Sequence, residues 1–300
     1  MRIILFLLVM GVAVIQQSVA ATAGDSASAQ SSGAIALLQL RESLRPRMIN
    51  SPFKVPLIIE SRQSSDDIKG EVYAEIKHSF KTVNVALGSP RAWCDILILH
   101  LNTKSCALQP GAGASTTTPT LMMTVGKKVE QAPDSAYPIA LLWKASQRKV
   151  DFLQVDLAAD SGPLNTRNYR IVLEAAPTEN GTTFIHLSYS YGYGTSAKFF
   201  MKAYLNTIGR NKVGFTVTGK ETSGEPIYVE GLLGLVERNT MRYHLAVEAY
   251  LGAMQMPEAM QFEKRISDWF KATERYPQQL HEVNLGEYLQ MKRAQHLRQQ

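Results

Sequence analysis

The sequence predicts an α+β protein in which an antiparallel sheet packs against helices. Strand-like segments follow one another between Leu121 and Tyr193 with short connections, whereas parallel neighbours would need long crossovers. Apolar residues at helical spacing indicate a long helix from about Glu237 to Leu251, and the chain after Met256 is charged and helical. These observations place the sheet before the long helix, with further helices behind it.

The amino terminus has the features of a cleavable secretory signal peptide. Met1-Arg2 carries the positive charge, Ile3–Ile15 is an unbroken apolar run, and a stretch of small residues ends at Ala20. Because the apolar run is shorter than the roughly 20 residues that a membrane span needs, we expect residues 1–20 to be removed and residues 21–50 to form a flexible leader. The predicted location of the mature, soluble protein is the periplasm of a Gram-negative bacterium.

Charge and cysteine content agree with this compartment. The formal net charge of +6 is mild and its carriers are scattered, so we predict an ordinary solvated surface and no nucleic-acid partner, with a peripheral contact to anionic envelope components as the alternative. The two cysteines, Cys94 and Cys106, flank a predicted helix end and strand start that could bring them together. We expect them to form a disulfide, which would contribute about 3 kcal/mol by closing a short loop. Two buried thiols are the alternative.

The first elements of the predicted domain are strands followed by two short helices. Pro56–Glu60 is apolar, and Glu71–His78 alternates apolar and polar residues. Helical spacing then begins at Phe80, and Ser89-Pro90 is a cap followed by proline at the first helical position. Five further strands are predicted: Leu121–Val125, Ile139–Trp143, Val150–Leu157, Tyr169–Ala176 and Thr183–Tyr193.

The last two strands can be placed in register from their side-chain pattern. A three-residue loop, Glu179-Asn180-Gly181 with Gly181 left-handed, pairs apolar and aromatic residues with one another. The predicted pairs are Leu173 with Leu187, Ile171 with Tyr189, and Tyr169 with Tyr191. This register puts several tyrosines on one face of the sheet.

Helices dominate the remainder of the chain. Apolar spacing predicts a helix over Thr195–Ile208, and short strands near Val213–Val217 and Ile227–Val229 precede the long helix. Residues 51–255 are the predicted domain, and residues 256–300 are a helical extension with too few apolar groups to fold alone. The extension is expected to pack on the domain or on a partner protein.

The aromatic face and the long helix supply the candidate binding residues. If the sheet curls around the helix and leaves an apolar cavity, hydroxyl groups on its wall would orient a small molecule. Plain core packing is the alternative. The candidates are Trp143, Tyr169, Leu187, Tyr189, Tyr191, Tyr193, Tyr243, Val247 and Tyr250.

The residues show no catalytic or metal-binding pattern. The six histidines include no i, i+4 pair, so no metal site is predicted, and neither cysteine has a histidine placed to activate it. Gly192–Ala197 has the form G-x-G-x-x-A, but the strand before it alternates where a dinucleotide-binding strand would be continuously apolar. We therefore predict no cofactor and assign no catalytic residue.

The order of elements resembles the helix-grip fold of the START and polyketide-cyclase-like superfamily. Gly70–Leu251 carries the resemblance, and Pro90-Arg91-Ala92-Trp93 matches a position where such proteins often have tryptophan. The resemblance implies a curved antiparallel sheet wrapped on the long helix, with an apolar cavity between them for lipids or polycyclic ligands. The chain is also similar to a group of exported proteobacterial proteins of unassigned function, through Trp93–Leu97, Leu101–Cys106 and Val236–Tyr243.

Three functions are carried forward as hypotheses. The first is an exported protein that binds an apolar or amphipathic, lipid-like ligand without chemistry. The second is an envelope scaffold protein that docks a partner through its carboxyl-terminal helices. The third is a cyclase- or hydrolase-like enzyme acting on an apolar substrate, which would need a histidine or tyrosine in the cavity as general acid or base.

Overall fold

One eight-stranded antiparallel sheet organises the molecule in the computed structural model, which describes residues 30–109, 118–194 and 212–298. The strands are β1 (Leu57–Gln63), β2 (Asp67–Ile76), β3 (Thr103–Gln109), β4 (Thr120–Val125), β5 (Tyr137–Arg148), β6 (Leu153–Ser161), β7 (Thr166–Pro177) and β8 (Thr183–Tyr193). Their order across the sheet is β1-β2-β8-β7-β6-β5-β4-β3. The predicted signal peptide and the predicted helix Thr195–Ile208 lie outside the described residues.

Helices cover both faces of this sheet. They are α1 (Ser32–Ile49), α2 (Phe80–Leu87), α3 (Pro90–Leu97), α4 (Gly231–Ala253), α5 (Glu258–Thr273), α6 (Pro277–Leu280) and α7 (Leu285–Leu297), and a small hairpin, β9 (Val217–Lys220) with β10 (Pro226–Tyr228), precedes α4. The 23-residue α4 packs on β1, β2 and β8 and contacts α3 and α5. The predicted α+β class, with an antiparallel sheet on a long helix and further helices behind it, is confirmed.

The predicted register of β7 and β8 is confirmed over most of its length. Leu173 pairs with Leu187 and Ile171 with Tyr189, and Gly181 has a φ of +74°, as the three-residue loop requires. The predicted backbone pairing of Tyr169 with Tyr191 is wrong, because the register shifts between Arg167 and Arg170. The bulge leaves the two tyrosine rings stacked, with their centroids 5.2 Å apart.

The predicted disulfide is present and joins α3 to the edge strand β3. The Cα atoms of Cys94 and Cys106 are 5.2 Å apart. Beside the disulfide, Trp93 is fully buried and donates its indole N–H to the carbonyl oxygen of Leu87 at 2.9 Å. These contacts attach the two short helices to the inner face of the sheet.

The first helix, α1, corrects the prediction of a flexible leader over residues 21–50. From Ser32 onward this segment is helical and packs on the outer face of the sheet, against Ile58, Tyr73 and Phe184. Its apolar residues are distributed around the helix instead of along one stripe, so helical spacing did not reveal it. The helix is ordered by its contact with the sheet.

The carboxyl-terminal helices are part of the same core. Ile266 and Trp269 of α5 and Tyr288 and Met291 of α7 are buried against the domain. The extension therefore packs on its own chain. Among the described residues, no helix is long and apolar enough to cross a bilayer.

Candidate functional site

Five tyrosines form one buried group between the sheet and α4. We call Tyr169, Tyr189, Tyr191, Tyr193 and Tyr243 the phenol cluster. The alternation of β8 turns its three tyrosines toward α4, and α4 supplies Tyr243, whose ring centroid is 5.2 Å from that of Tyr189. Tyr191 lies 5.2 Å from Tyr169 and 5.6 Å from Tyr189, so the rings form a continuous aromatic wall.

The hydroxyl groups of the phenol cluster differ in their hydrogen bonding. Tyr193 accepts a bond from Gln63 at 2.8 Å and donates to the carbonyl oxygen of Ser64 at 3.2 Å. Tyr169 shares a bond of 2.7 Å with Thr166. Within residues 30–109, 118–194 and 212–298, no group forms a hydrogen bond with the hydroxyls of Tyr189 or Tyr243. The wall thus holds two phenols with unused hydrogen-bonding capacity.

The indole N–H of Trp143 on β5 is a third donor on the inner face of the sheet. Trp143 pairs with Leu157, Leu157 with Ile171, and Ile171 with Tyr189 across neighbouring strands. Trp143 and Tyr189 are therefore three strand spacings apart, or roughly 14 Å. The indole N–H of Trp143 is buried and has no hydrogen-bond partner among the described residues. A buried N–H without an acceptor costs about 1–3 kcal/mol.

The phenols of Tyr189, Tyr191 and Tyr243 and the ring of His100 are neutral near neutral pH. Burial raises the pKa of Tyr189 well above its ordinary value and also raises the pKa values of Tyr191 and Tyr243. The ring of His100 stacks on Tyr243 at 5.0 Å, and burial, followed by the charge of Arg242, lowers the pKa of His100 well below its ordinary value. The wall therefore offers hydrogen bonds without charge.

A polar depression lies beside the phenol cluster, next to the bulge of β7. Its volume is about 400 Å³, and it is lined by Arg62, Gln63, Ser64, Asp67, Ile68, Lys69, Asn168, Ser190 and Tyr191. Tyr191 belongs both to this depression and to the phenol cluster. Asn168 in the bulge has a φ of +53°, a conformation that asparagine tolerates better than most residues.

The structure brings most of the sequence-predicted residues together. The five tyrosines of the phenol cluster meet, Leu187 and Val247 are fully buried in the adjoining core, and Trp143 is half-buried against that core. Tyr250 lies elsewhere on α4, with the guanidinium of Arg265 4.4 Å above its ring. The structure therefore does not bring Tyr250 into the phenol cluster.

A set of buried charged residues was missed by the sequence reasoning. Glu237, Arg238 and Arg242 of α4 are fully buried, and they belong to the Val236–Tyr243 string that carries one of the resemblances. Glu237 accepts hydrogen bonds from Ser61 and from the Phe215 and Thr216 backbone. The available signal was three charged residues within two turns of a predicted helix.

Two buried lysines tie the last helix to the loop that carries His100. Lys292 donates to the carbonyl oxygens of His100 and Thr103 at 2.8 and 3.1 Å. Lys104 donates to the carbonyl oxygens of Leu101 and Val129, both at 2.9 Å. Burial lowers the pKa values of both lysines, that of Lys104 to about 8. Helix α7 therefore holds the loop beside the phenol cluster in place.

One histidine contacts two carboxylates, and it lies on the opposite face of the sheet. His186 contacts Glu174 at 2.9 Å and Glu71 at 3.0 Å, and its ring stacks on Tyr73. Burial lowers the pKa of His186, but the bonds to the two carboxylates outweigh burial and raise it overall. Burial likewise raises the pKa of Glu71, whereas bonds from His186 and Lys69 outweigh it and lower that pKa to about 2.

We expect the His186→Gln variant to lose about 1–2 kcal/mol of unfolding free energy near pH 5.5, because it removes charged hydrogen bonds. A raised histidine pKa stabilises the fold fully below about pH 6.5, and this contribution disappears as the pH rises through the folded-state pKa. The Glu71 contribution is complete above about pH 4.5 and disappears toward pH 2. Urea unfolding from pH 4.5 to 9 should show the difference from wild type shrinking above pH 6.5. A constant difference across this range would contradict the assignment.

We expect removal of a bonded phenol hydroxyl to cost stability and removal of an unbonded one not to. Tyr193→Phe should lower the unfolding free energy by about 1 kcal/mol, because it loses two hydrogen bonds. Tyr189→Phe should leave the unfolding free energy nearly unchanged, since its hydroxyl has no hydrogen-bond partner to lose among the described residues. Urea unfolding of the ligand-free proteins measures both. Equal losses would show that the Tyr189 hydroxyl is bonded.

No family model and no curated protein matches this chain. Solved structures do match, among them norcoclaurine synthase from Thalictrum flavum, with 14% identity over 49% of this chain and 91% of that chain and a TM-score of 0.32. A START superfamily protein from Mycobacterium smegmatis matches with 10% identity over 51% of this chain and 92% of that one, with a TM-score of 0.30. A conserved protein of unknown function from Enterococcus faecalis matches with 8% identity over 78% and 98%, with a TM-score of 0.33. At these identities and TM-scores, the matches do not indicate which ligand or activity this chain has.

Proposed function

We propose that this protein binds an apolar or amphipathic small molecule, lipid-like in character, between the inner face of its sheet and α4. The observation that carries the proposal is the set of three inward groups without partners among the described residues: the Trp143 indole N–H and the Tyr189 and Tyr243 hydroxyls. All three lie on an aromatic and aliphatic wall. A few placed polar groups in an apolar lining are the usual composition of a small-molecule site.

The uncharged side chains of the aromatic wall favour a ligand whose buried part is also uncharged. The raised tyrosine pKa values and the lowered His100 pKa leave uncharged hydrogen-bonding groups on the wall itself, and the nearby guanidinium of Arg242 is already paired with Glu282 at 2.8 Å. An ester, ketone or ether oxygen would accept from these donors, whereas a charged headgroup buried there would lack a counter-charge. We therefore propose a ligand whose buried part is neutral and carries acceptor oxygens.

The proposal includes export to the periplasm. Residues 1–20 have the composition of a signal peptide, and the Cys94–Cys106 disulfide supports an oxidising compartment. Membership of the group of exported proteobacterial proteins is part of the same proposal. Residues 51–255 would form the ligand-binding domain, with α1 on its outer face and residues 256–300 completing its core.

Native mass spectrometry tests ligand binding directly. The purified protein is stripped of bound molecules, incubated with a bacterial polar lipid extract, and weighed intact. We expect a discrete lipid adduct on the wild type. Tyr189→Phe/Tyr243→Phe should retain the lipid about tenfold less tightly, since two hydrogen bonds contribute about 1–2 kcal/mol. Tyr276→Phe is the matched control, because its ring packs on Phe53 and Phe215 outside the phenol cluster. A wild type that binds no component of the extract would overturn the proposal.

The two other hypotheses receive no comparable support. Part of the apolar surface of α5 and α7 is used inside the molecule, where Ile266, Trp269 and Tyr288 are buried, so less of it remains for the partner that the scaffold hypothesis needs. Among the described residues, no histidine hydrogen-bonded to a carboxylate faces the phenol cluster, so a catalytic role is not proposed.

A further inference from the structure

The turn between β6 and β7 has an unusual residue at its tip. Leu164 and Asn165 both adopt left-handed backbone conformations, with φ values of +57° and +61°, and the Thr166 backbone N–H donates to the Pro163 carbonyl oxygen. This is the two-residue hairpin turn that normally contains Asn-Gly. Asparagine is suited to the second position, but leucine is poorly suited to the first.

Leucine at this position is unfavourable for two independent reasons. In the left-handed conformation its Cβ lies too close to the following carbonyl oxygen, a clash that glycine avoids and asparagine tolerates. Its side chain is also 53% exposed to solvent, so it gains little from burial in return. A backbone strain that burial of the side chain does not offset indicates a role outside the folded core.

The turn lies directly on the phenol cluster. The Tyr169 ring packs so tightly on Gly162 that a Cβ there would approach the ring to 2.1 Å. The Tyr169 hydroxyl shares a hydrogen bond with Thr166, which in turn donates to the Pro163 carbonyl oxygen at 2.5 Å. Movement of the turn would therefore move Tyr169.

An exposed aromatic side chain lies at the same end of the sheet as Leu164. Tyr137 begins β5, the strand paired with β6, and is 40% exposed. It lies near enough to Tyr169 to add to the effect of burial in raising the pKa of that residue. We call Tyr137, Pro163 and Leu164 the apolar tip.

We propose that the apolar tip touches the surface of a lipid bilayer and that the ligand enters and leaves the phenol cluster beside it. This rests on the proposed function. Tyrosine beside an aliphatic side chain suits the boundary between water and acyl chains, where an apolar ring and a polar hydroxyl are both accommodated. Three side chains are far fewer than the 20–30 or so residues a side of a stable protein–protein interface.

The charges around the apolar tip predict which bilayer it contacts. The exposed Arg167 pairs with Asp66 at 3.2 Å, and Arg170 pairs with Asp156. Because each arginine has its own carboxylate, this surface has little net attraction for anionic lipid. The proposed partner is therefore an uncharged bilayer surface, and the contact should depend little on salt concentration.

The test compares Leu164→Asn with Val150→Asn in the full chain. Val150 is 84% exposed at the turn that follows β5, at the opposite end of that strand, so it matches Leu164 in exposure and apolar character. Three quantities are measured: the thermal midpoint, the fraction that floats with phosphatidylcholine vesicles, and the rate of lipid uptake from those vesicles by native mass spectrometry.

We expect Leu164→Asn to raise the thermal midpoint while lowering vesicle flotation and uptake about tenfold, as the loss of one apolar anchor implies. Val150→Asn should leave flotation and uptake unchanged. Because the first variant is expected to be more stable than the wild type, misfolding cannot account for its loss. Flotation should persist at high salt.

The outcomes separate this inference from the proposed function. If the wild type takes up lipid and Leu164→Asn takes it up at the same rate, the apolar tip is not the contact. If Leu164→Asn instead abolishes a dimer seen by light scattering, the tip binds a second copy and the bilayer proposal is overturned. If no lipid is taken up but flotation still requires Leu164, the bilayer contact stands and the ligand site does not.

Discussion

Glu237→Ala is expected to lower the unfolding free energy by about 3–5 kcal/mol, because it leaves buried donors unpaired and opens a cavity. The carboxylate of Glu237 is fully buried and accepts from the Ser61 hydroxyl at 2.7 Å and from the Thr216 hydroxyl at 2.6 Å. The Phe215 and Thr216 backbone N–H groups add bonds of 2.6 and 3.0 Å. One side chain thereby joins α4 to β1 and to the segment before β9.

Urea unfolding of Glu237→Ala, Glu237→Gln and Glu248→Ala measures this effect. Glu237→Gln keeps the shape but points an amide donor at other donors, so we expect an intermediate loss of about 2 kcal/mol. Glu248 lies on the same helix with a side chain that is 39% exposed, and its replacement should cost less than about 0.5 kcal/mol. If Glu237→Ala cost no more than Glu248→Ala, the buried network would contribute nothing.

Trp269→Ala should cost about 3–5 kcal/mol, the range for truncating a large buried aromatic side chain. Trp269 is 1% exposed, stacks on Tyr288 with ring centroids 5.0 Å apart, and donates its indole N–H to the Arg242 carbonyl oxygen at 3.0 Å. It therefore connects α5 to both α4 and α7. The expected loss is a large share of the total stability of an ordinary domain.

Met260→Ala, at a 53% exposed position on the same helix, is the control and should change the unfolding free energy by less than about 0.5 kcal/mol. One cooperative transition is expected for the wild type, since the extension and the sheet share a core. Two separate transitions, with Trp269→Ala affecting only the weaker one, would show that residues 256–300 unfold independently and would revive the scaffold hypothesis.

Much of the sheet could be predicted because its side chains alternate. The register of Leu173 with Leu187 followed from placing apolar residues opposite one another, and the bend at Gly181 followed from its need for a positive φ. The bulge at Asn168 was not predictable in this way, because an extra residue is defined by its pairing against the neighbouring strand, which the pattern of β7 alone does not contain. That bulge changed the backbone pairing of Tyr169 but preserved the stacking of its ring on Tyr191.

Helix α1 and the buried ion network show where local patterns fail. α1 has no apolar stripe because apolar residues occupy its solvent-exposed positions as well as those against the sheet, as the burial of Leu37 and the exposure of Ile49 illustrate. Arg242 and Lys292 have the residue types of a solvated surface, yet both are fully buried. Only the packing of distant segments supplies the carbonyl oxygens and carboxylates that make their burial tolerable.

The candidate site, too, was predictable from the sequence only in part. Alternation along β8 was enough to place Tyr189, Tyr191 and Tyr193 on one face, since side chains two residues apart point the same way in any strand. The tertiary structure decided which hydrogen-bond donors have no partner among the described residues and where Tyr243 meets them. It also decided that Leu164 lies at a strained turn beside Tyr169. Hydrogen-bond partners and backbone strain depend on chain segments far apart in sequence, and no local pattern encodes their distances.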